Sequence, residues 1–380
     1  MTTGRQPNCQ GKADKVGLVV LLIACLWAFS SPSVAQLRRQ SCLLVSPESY
    51  PLRWGETEPP DADKVAMPPG LDTSRAIPTF SGCYKVGTGG FSLAYSVEDQ
   101  VEFGTLLVVV WDEGAGERIW QRTYDFVPRR GQVVLEGFVL PSYITSVGFQ
   151  VTWSGCGVIF TRFNVFVVLD APKMPMDPAW VSVLRISCQW ARGESTPDGA
   201  ASALTQKLWE NGHYNGGRPG YTRYFRDPNG WPVDDGERFY LRAFLDDPWF
   251  PYGQCNDFAN FLICLITSIS NPTNKARRTH QLLFTDAANF RTNWITPAGQ
   301  SPTKAEWTYH QFVSTNRVWD GCLTFGEGIF VIGMEFNGYK AGLVEVILRY
   351  DWQSAPPAGW FVPEVSAISA DQIPPWPWAN

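Results

Sequence analysis

Cys255 stands in Tyr252-Gly253-Gln254-Cys255-Asn256-Asp257-Phe258-Ala259, at the point where a helix is predicted to begin. Phe258, Phe261, Leu262, Leu265, Ile266 and Ile269 recur at the spacing of one apolar helix face, and Asn271-Pro272 ends the pattern. A sulfur at a helix N-terminus meets unpaired N–H groups and the positive end of the dipole, which favour thiolate over thiol. The Cys255 N–H, with the Gln254 side chain as a neighbouring donor, also forms a candidate oxyanion site. The chemistry such a group performs is nucleophilic attack.

A thiolate nucleophile needs a base, and the chain has three His. His213 lies in the turn sequence Asn211-Gly212-His213-Tyr214-Asn215-Gly216-Gly217, and His280 follows Lys275, Arg277 and Arg278 in a polar segment, so both read as surface residues. His310 instead opens a hairpin pattern: His310-Gln311-Phe312-Val313, Ser314-Thr315-Asn316, then Arg317-Val318-Trp319-Asp320. A turn centred on Thr315 sets Val313 opposite Arg317, Phe312 opposite Val318 and His310 opposite Asp320. Directly opposed residues lie about 4.5–5.5 Å apart at Cβ. Asp320 could then accept the imidazole N–H and fix its tautomer, completing a nucleophile, base and orienter.

Two contrasting stretches of chain must position these groups. From Thr79 to about Ala171, short runs of Val, Phe, Ile, Trp and Thr alternate with turn residues, as in Val101–Trp111, Gln132–Leu140, Val147–Trp153 and Val158–Leu169. This predicts an antiparallel β-sandwich of immunoglobulin-like size over 79–171, in which Cys83 and Cys156 are one candidate inter-sheet bridge. Pro172 to Pro178 breaks the strand pattern and marks a boundary. Beyond it, Thr196-Pro197-Asp198 starts a helix that Asn211-Gly212 stops, Cys255 to Ile269 is a second helix, and Ile329–Phe336 and Leu343–Tyr350 are strands with a hairpin turn at Asn337-Gly338. Helices followed by an antiparallel sheet predict an α+β domain over 178–352.

The Tyr252-Gly253-Gln254-Cys255 run, with Phe258 and Ala259 behind it, resembles the nucleophile motif of the transglutaminase-like superfamily of papain-type cysteine enzymes. The later His and Asp match that family's order of Cys, His, Asp. The resemblance covers roughly Ser182 to Trp352 and is specific at the Cys motif; the family often carries Trp two residues after the His, where this chain has Phe312. It implies a papain-like fold, with Cys255 as nucleophile, His310 as general base and acid, Asp320 as orienter and Gln254 as oxyanion neighbour. The implied reaction breaks an amide or peptide bond through a thioester, which water resolves in a hydrolase and a Lys amine in a cross-linking acyltransferase; hydrolysis is favoured because many bacterial members look like peptidases. A non-catalytic surface-binding module is the remaining alternative.

Composition bounds these readings. The chain has 380 residues, 44% hydrophobic and 18% charged, with 34 Gly, 29 Pro and 17 Trp, which excludes a coiled coil, a disordered acidic tail and a multi-span membrane protein. Lys and Arg (31) nearly match Asp and Glu (36), so no strong field recruits nucleic acid, and the expected partner is a peptide or protein substrate. No motif demands a cofactor or metal. Asp227-Pro228-Asn229-Gly230 and Asp234-Asp235-Gly236-Glu237 miss the EF-hand spacing and read as turns, and Gly87-Thr88-Gly89-Gly90 lacks the Lys of a phosphate loop.

At the N-terminus, Arg5, Lys12 and Lys15 precede an apolar run from Val16 to Phe29, with small Ser33 and Ala35 beyond. About 14 apolar residues are too short to span a bilayer core of about 30 Å. The segment 1–35 therefore reads as a signal peptide, or as a lipoprotein signal ending at Cys25 in Leu22-Ile23-Ala24-Cys25. The expected location is secreted, periplasmic or cell-surface. Of nine Cys, processing removes Cys9 and takes Cys25 from the free thiols, leaving seven. In an oxidising compartment six could form three disulfides, with Cys255 the free thiol. Residues 36–78, rich in Pro and acidic residues, read as a linker or N-terminal arm, and 353–380 as an irregular Pro- and Trp-rich tail.

Overall fold

Alternation of apolar and polar side chains dictates the first half of the chain. The computed structural model describes residues 40–45, 49–53, 79–99, 101–173, 176–215, 225–226, 232–233, 238–239, 241–247, 250–269, 278–283, 289–307, 309–314, 317–326 and 328–348. Strands β1 (Gln40–Val45), β2 (Thr79–Lys85), β3 (Ser92–Val97), β4 (Phe103–Asp112), β5 (Glu117–Pro128), β6 (Arg130–Val134), β7 (Thr145–Ser154) and β8 (Val158–Val168) build two sheets. One has the order β1-β3-β6 and the other β2-β8-β7-β4-β5, with β2 and β8 parallel and the remaining pairs antiparallel. Leu93 and Tyr95 from the first sheet and Leu106, Val108, Val110, Phe149, Val151 and Trp153 from the second bury one shared cluster. Tyr84 and Val167 join that cluster, while their neighbours Cys83 and Phe166 point the other way, into the core around the helices.

That second core organises helices α1 (Val181–Trp190), α2 (Pro197–Asn211), α3 (Leu241–Leu245) and α4 (Cys255–Ile269). Thr196 caps α2 by accepting the Gly199 N–H at 3.2 Å, and Pro197 follows at the first helical position, as the start signals anticipated. Every residue of α4 is buried. Its C-terminal carbonyls are satisfied from the segment that leaves β8: Leu169 N–H donates to Ile269 O at 3.1 Å and Lys173 N–H to Thr267 O at 2.9 Å.

Besides short two-residue strands at Leu52–Arg53, Ala179–Trp180, Phe225–Arg226, Pro232–Val233 and Arg238–Phe239, the further elements are β9 (His213–Tyr214), β10 (Tyr252–Gly253), β11 (Arg278–Leu283), β12 (Asn289–Thr292), β13 (Ile295–Pro297), β14 (Glu306–Trp307), β15 (Tyr309–Ser314), β16 (Val318–Phe325), β17 (Ile329–Met334), α5 (Phe336–Leu343) and β18 (Val344–Leu348). Of these, β9 to β18 form one sheet of order β11-β15-β16-β13 with β17 added on β16, another of order β14-β12-β18, and a parallel β9-β10 pair. The protein is thus sheet-rich, with a small set of helices.

Several expectations are corrected. Gln40–Val45, assigned to the N-terminal arm, is a strand paired with β3, because Leu44 is buried in the sandwich cluster. No hairpin turn occurs at Asn337-Gly338; those residues lie in α5, where Tyr339 and Leu343, one turn apart, bury against Phe290 and Phe312. The Cys83–Cys156 bridge is excluded by register. Cys83 lies opposite Phe166, ten residues along β8 from the β7–β8 turn that holds Cys156. Nor are three disulfides formed, since Cys83, Cys188, Cys264 and Cys322 are free thiols, each buried in the helix-facing core. Residues 1–39, 54–78 and 349–380, and the acidic turns at 227–230 and 234–237, lie outside the described residues.

Candidate functional site

Cys255 opens α4, and the backbone before it is held from two sides. The Gln254 N–H donates to Asp257 Oδ2 at 2.8 Å, and the Gln254 carbonyl accepts the Phe258 N–H at 3.1 Å. Asp257 is the third helical residue reaching back to the residue before the helix, the acidic half of a capping box. Gly253 allows this: a Cβ there would stand 2.7 Å from Asp257 Cβ. Just beyond β9, which pairs with β10, the Asn215 N–H donates to Gly253 O at 2.8 Å, fixing the approach to the nucleophile position.

His310 and Asp320 come from β15 and β16, but not in the expected register. Val313 pairs with Trp319 and Ser314 with Val318, two residues out from a turn centred on Thr315, so His310 and Asp320 are diagonal rather than directly opposed. Diagonal neighbours still meet when the side chains are long enough. His310 Nε2 lies 2.7 Å from Asp320 Oδ2, with both side chains buried. The Tyr339 hydroxyl donates to the same carboxylate oxygen at 2.8 Å, and the Cys322 N–H donates to Oδ1 at 2.9 Å. The indole of Trp307 stacks on the imidazole at 4.9 Å between centroids and 18° between planes. Asp320 and Trp307 together leave His310 little freedom to turn.

The other imidazole nitrogen, Nδ1, is buried and has no hydrogen-bond partner of normal geometry, while the Cys255 thiol interacts with the same ring. Burial disfavours the imidazolium. The Asp320 carboxylate, by charge and hydrogen bond, and the Cys255 sulfur outweigh it and raise His310 to about 10. Burial also pushes the Cys322 thiol well up, reinforced by the charges of Asp320, Cys255 and Asp257, so Cys322 is a protonated bystander beside the site. Tyr339 is likewise raised by burial and then by Asp320, which keeps it a donor. Asp257 is pushed up to about 7 by burial, only partly offset by the Gln254 N–H, and its Oδ1 has no partner.

The structure therefore brings Cys255, His310 and Asp320 together and sets Gln254, half-buried, immediately before the sulfur. His213 is exposed, its ring against Gly299, and His280 sits in β11 with its backbone opposite Phe312. Of the aromatics ahead of Cys255, Phe250 packs on Phe244 and Phe261 at 5.3 Å from each, which makes it core; Trp249 lies outside the described residues. Trp307, Tyr339 and Asp257 escaped sequence reasoning. Only Asp257 carried a signal, the acidic residue three positions after Gln254 at a helix start. Among the described residues no group of three His, Cys, Asp or Glu could hold a metal ion.

No protein-family model matches the chain, and comparison with curated proteins gives no match. Among solved structures the chain is similar to a transglutaminase of red sea bream, at 11% identity and a TM-score of 0.32, over 63% of this chain and 49% of that one. The chain spans about half the length of that enzyme. At so low a score, the chemistry of the site rests on its own geometry.

Proposed function

We propose that the protein is a transglutaminase-like cysteine enzyme acting on amide or peptide bonds through Cys255, His310 and Asp320. The observation that carries this reading is the buried His310–Asp320 pair at 2.7 Å, whose second ring nitrogen is uncommitted and whose ring interacts with a thiol at a helix N-terminus. An imidazole held at one nitrogen by a carboxylate and open at the other is arranged to exchange a proton with a sulfur.

In the proposed cycle the Cys255 proton resides on His310, and the thiolate attacks the carbonyl carbon. The developing oxyanion is met by the Cys255 N–H and the Gln254 side chain. Collapse breaks the C–N bond, His310 delivers its proton to the leaving amine, and a thioester remains. His310 then takes a proton from water, hydroxide adds to the thioester, and the sulfur leaves as thiolate. A Lys amine in place of water would give a cross-link, with the same residues in the same roles. We favour hydrolysis, within a papain-like arrangement that follows an immunoglobulin-like sandwich. The basic residues and apolar run of the first 35 positions support an exported or cell-surface protein.

The test is alkylation followed by acyl trapping. Iodoacetamide is expected to label Cys255 in the native protein, and Cys255→Ala to lose that label. With a glutamine-containing protein such as casein, ammonia or new amino termini should appear without incorporation of a fluorescent primary amine. Amine incorporation would move the reading to the acyltransferase; a Cys255 that is not labelled in the native protein, with neither product, would leave the non-catalytic module.

A further inference from the structure

Asp257 has no role in the cycle just described, yet it is fully buried two residues after the nucleophile. One carboxyl oxygen holds the Gln254 N–H at 2.8 Å, and the other is buried with no partner. Such an arrangement is costly unless the group is neutral or does something there. We propose that Asp257 is a positioning residue for the Cys255 reaction, its uncharged carboxyl group latching the Gln254 backbone so that the nucleophile and its oxyanion donors stay aligned. This rests on the reading of Cys255 as the nucleophile.

The surroundings explain why the latch must be uncharged. Asp257 shares the first turn of α4 with Cys255. From β16, Cys322 feels the charges of both Cys255 and Asp257, and Asp320 supplies a further negative charge. Among the described residues of the site, His310 of β15 is the cation, already engaged by Asp320, and Tyr339 of α5 donates to that same carboxylate. An ionised Asp257 would add a third negative charge to a site that must hold thiolate and carboxylate with one imidazolium. Its displacement to about 7, caused by burial, keeps it protonated through the acidic range and lets it ionise above neutrality. The Gly253 position shows the same fit from the other side, since any side chain there would occupy the space of the Asp257 carboxyl.

The experiment measures iodoacetamide modification of Cys255, quantified on its peptide by mass spectrometry, from pH 5 to 9 in the full chain. Wild type, Asp257→Asn and Asp257→Ala are compared, with thermal melts to establish that each is folded. Asp257→Asn keeps the acceptor for the Gln254 N–H and cannot ionise. At pH 6 it is expected to label within about twofold of wild type, whereas Asp257→Ala is slower by about tenfold, the size expected from losing one hydrogen bond that holds the nucleophile's backbone. Wild type should also show an inflection near pH 7, from ionisation of Asp257 beside the sulfur, that Asp257→Asn lacks.

A structural role alone would move the melts and leave the rescue and the inflection unseen. The proposal is overturned if Asp257→Ala labels like wild type, if Asp257→Asn is as slow as Asp257→Ala, or if the inflection persists in Asp257→Asn. Should Asp257→Ala fail to fold, the inflection decides. A wild-type Cys255 that is not labelled at any pH in this range would instead defeat the nucleophile reading itself.

Discussion

Asp112 in the sandwich and Asp257 beside Cys255 are equally shut away from solvent, yet the protein treats the two carboxyls oppositely. Asp112 Oδ1 accepts the N–H groups of Gly114 and Ala115, the Thr145 hydroxyl and Arg192 Nε, and Oδ2 accepts the Tyr143 hydroxyl at 2.8 Å. Burial pushes its carboxyl up, but the bonds from Tyr143, Ala115, Thr145 and Arg192 win and hold it below the ordinary value. Asp257 has one backbone N–H and an orphaned oxygen, and burial wins. Burial raises both carboxyls; at Asp112 the donors outweigh it, and at Asp257, with a single donor, it prevails. A saturated carboxylate is a clamp, here between the end of β4 and the loop after α1, while an undersaturated one stays responsive to its neighbours' charge.

The largest expected effect lies in the site. Asp320→Asn offers His310 Nε2 an amide instead of a carboxylate and is expected to lower Cys255-dependent turnover by roughly 10^3-fold or more, with little change in fold. Turnover within tenfold of wild type would remove Asp320 from the orienting role. In the sandwich, Asp112→Ala takes the acceptor from five donors, of which the Thr145 hydroxyl is buried, and is expected to cost about 3 kcal/mol of stability in chemical denaturation, while native-state labelling of Cys255 keeps its rate. A loss of both together would show that the two regions are not separable in this way.

Stability against pH should slope in opposite directions. The folded-state value of Asp112 lies below its ordinary 3.8, so its contribution is present above that pH and lost as pH falls through the folded value. Asp257 is raised from 3.8 to about 7, so its contribution is present below about 4 and lost as pH rises to 7. His310 is raised from 6.5 to about 10, so its contribution is complete below 6.5 and disappears as pH rises through 10. Relative to wild type, Asp257→Asn should therefore gain melting temperature progressively between pH 4 and pH 7, and Asp112→Asn should flatten the acid limb; the reverse assignment would contradict the donor-count argument. The smallest effect belongs to Tyr339→Phe, which removes one of the bonds to Asp320 and is expected to slow turnover by about tenfold or less. A loss as deep as that of Asp320→Asn would make Tyr339 a full member of the site.

Local chemistry made part of this legible in advance. The α4 helix was readable from Cys255 to Ile269 because its apolar spacing is long and its ends carry stop signals, and Thr196-Pro197 marked α2 for the same reason. Register was less legible, because a hairpin turn can absorb residues without changing which face His310 and Asp320 share; the diagonal contact preserved the pair although the direct opposition did not occur. β5 was missed because it is an edge strand with mostly exposed side chains, among them Glu117, Gln121 and Asp125, so it has no apolar period to find. Asn337-Gly338 misled for the converse reason: burial of Tyr339 and Leu343 overrode a local turn preference. Tyr339 reaches Asp320 only through that tertiary packing, and nothing in its own sequence neighbourhood marks it.

In the proposed cycle Cys255 and His310 share one proton as an ion pair whose cation Asp320 holds. With three His in the chain, the most direct measurement is nitrogen-15 NMR of the imidazoles as a function of pH, with His310→Gln used to assign the signal. The account expects His310 to remain imidazolium toward pH 10 in the native protein, and to lose its proton at distinctly lower pH in Cys255→Ala. A His310 signal that titrates near 6.5, or one that is indifferent to the removal of Cys255, would contradict it.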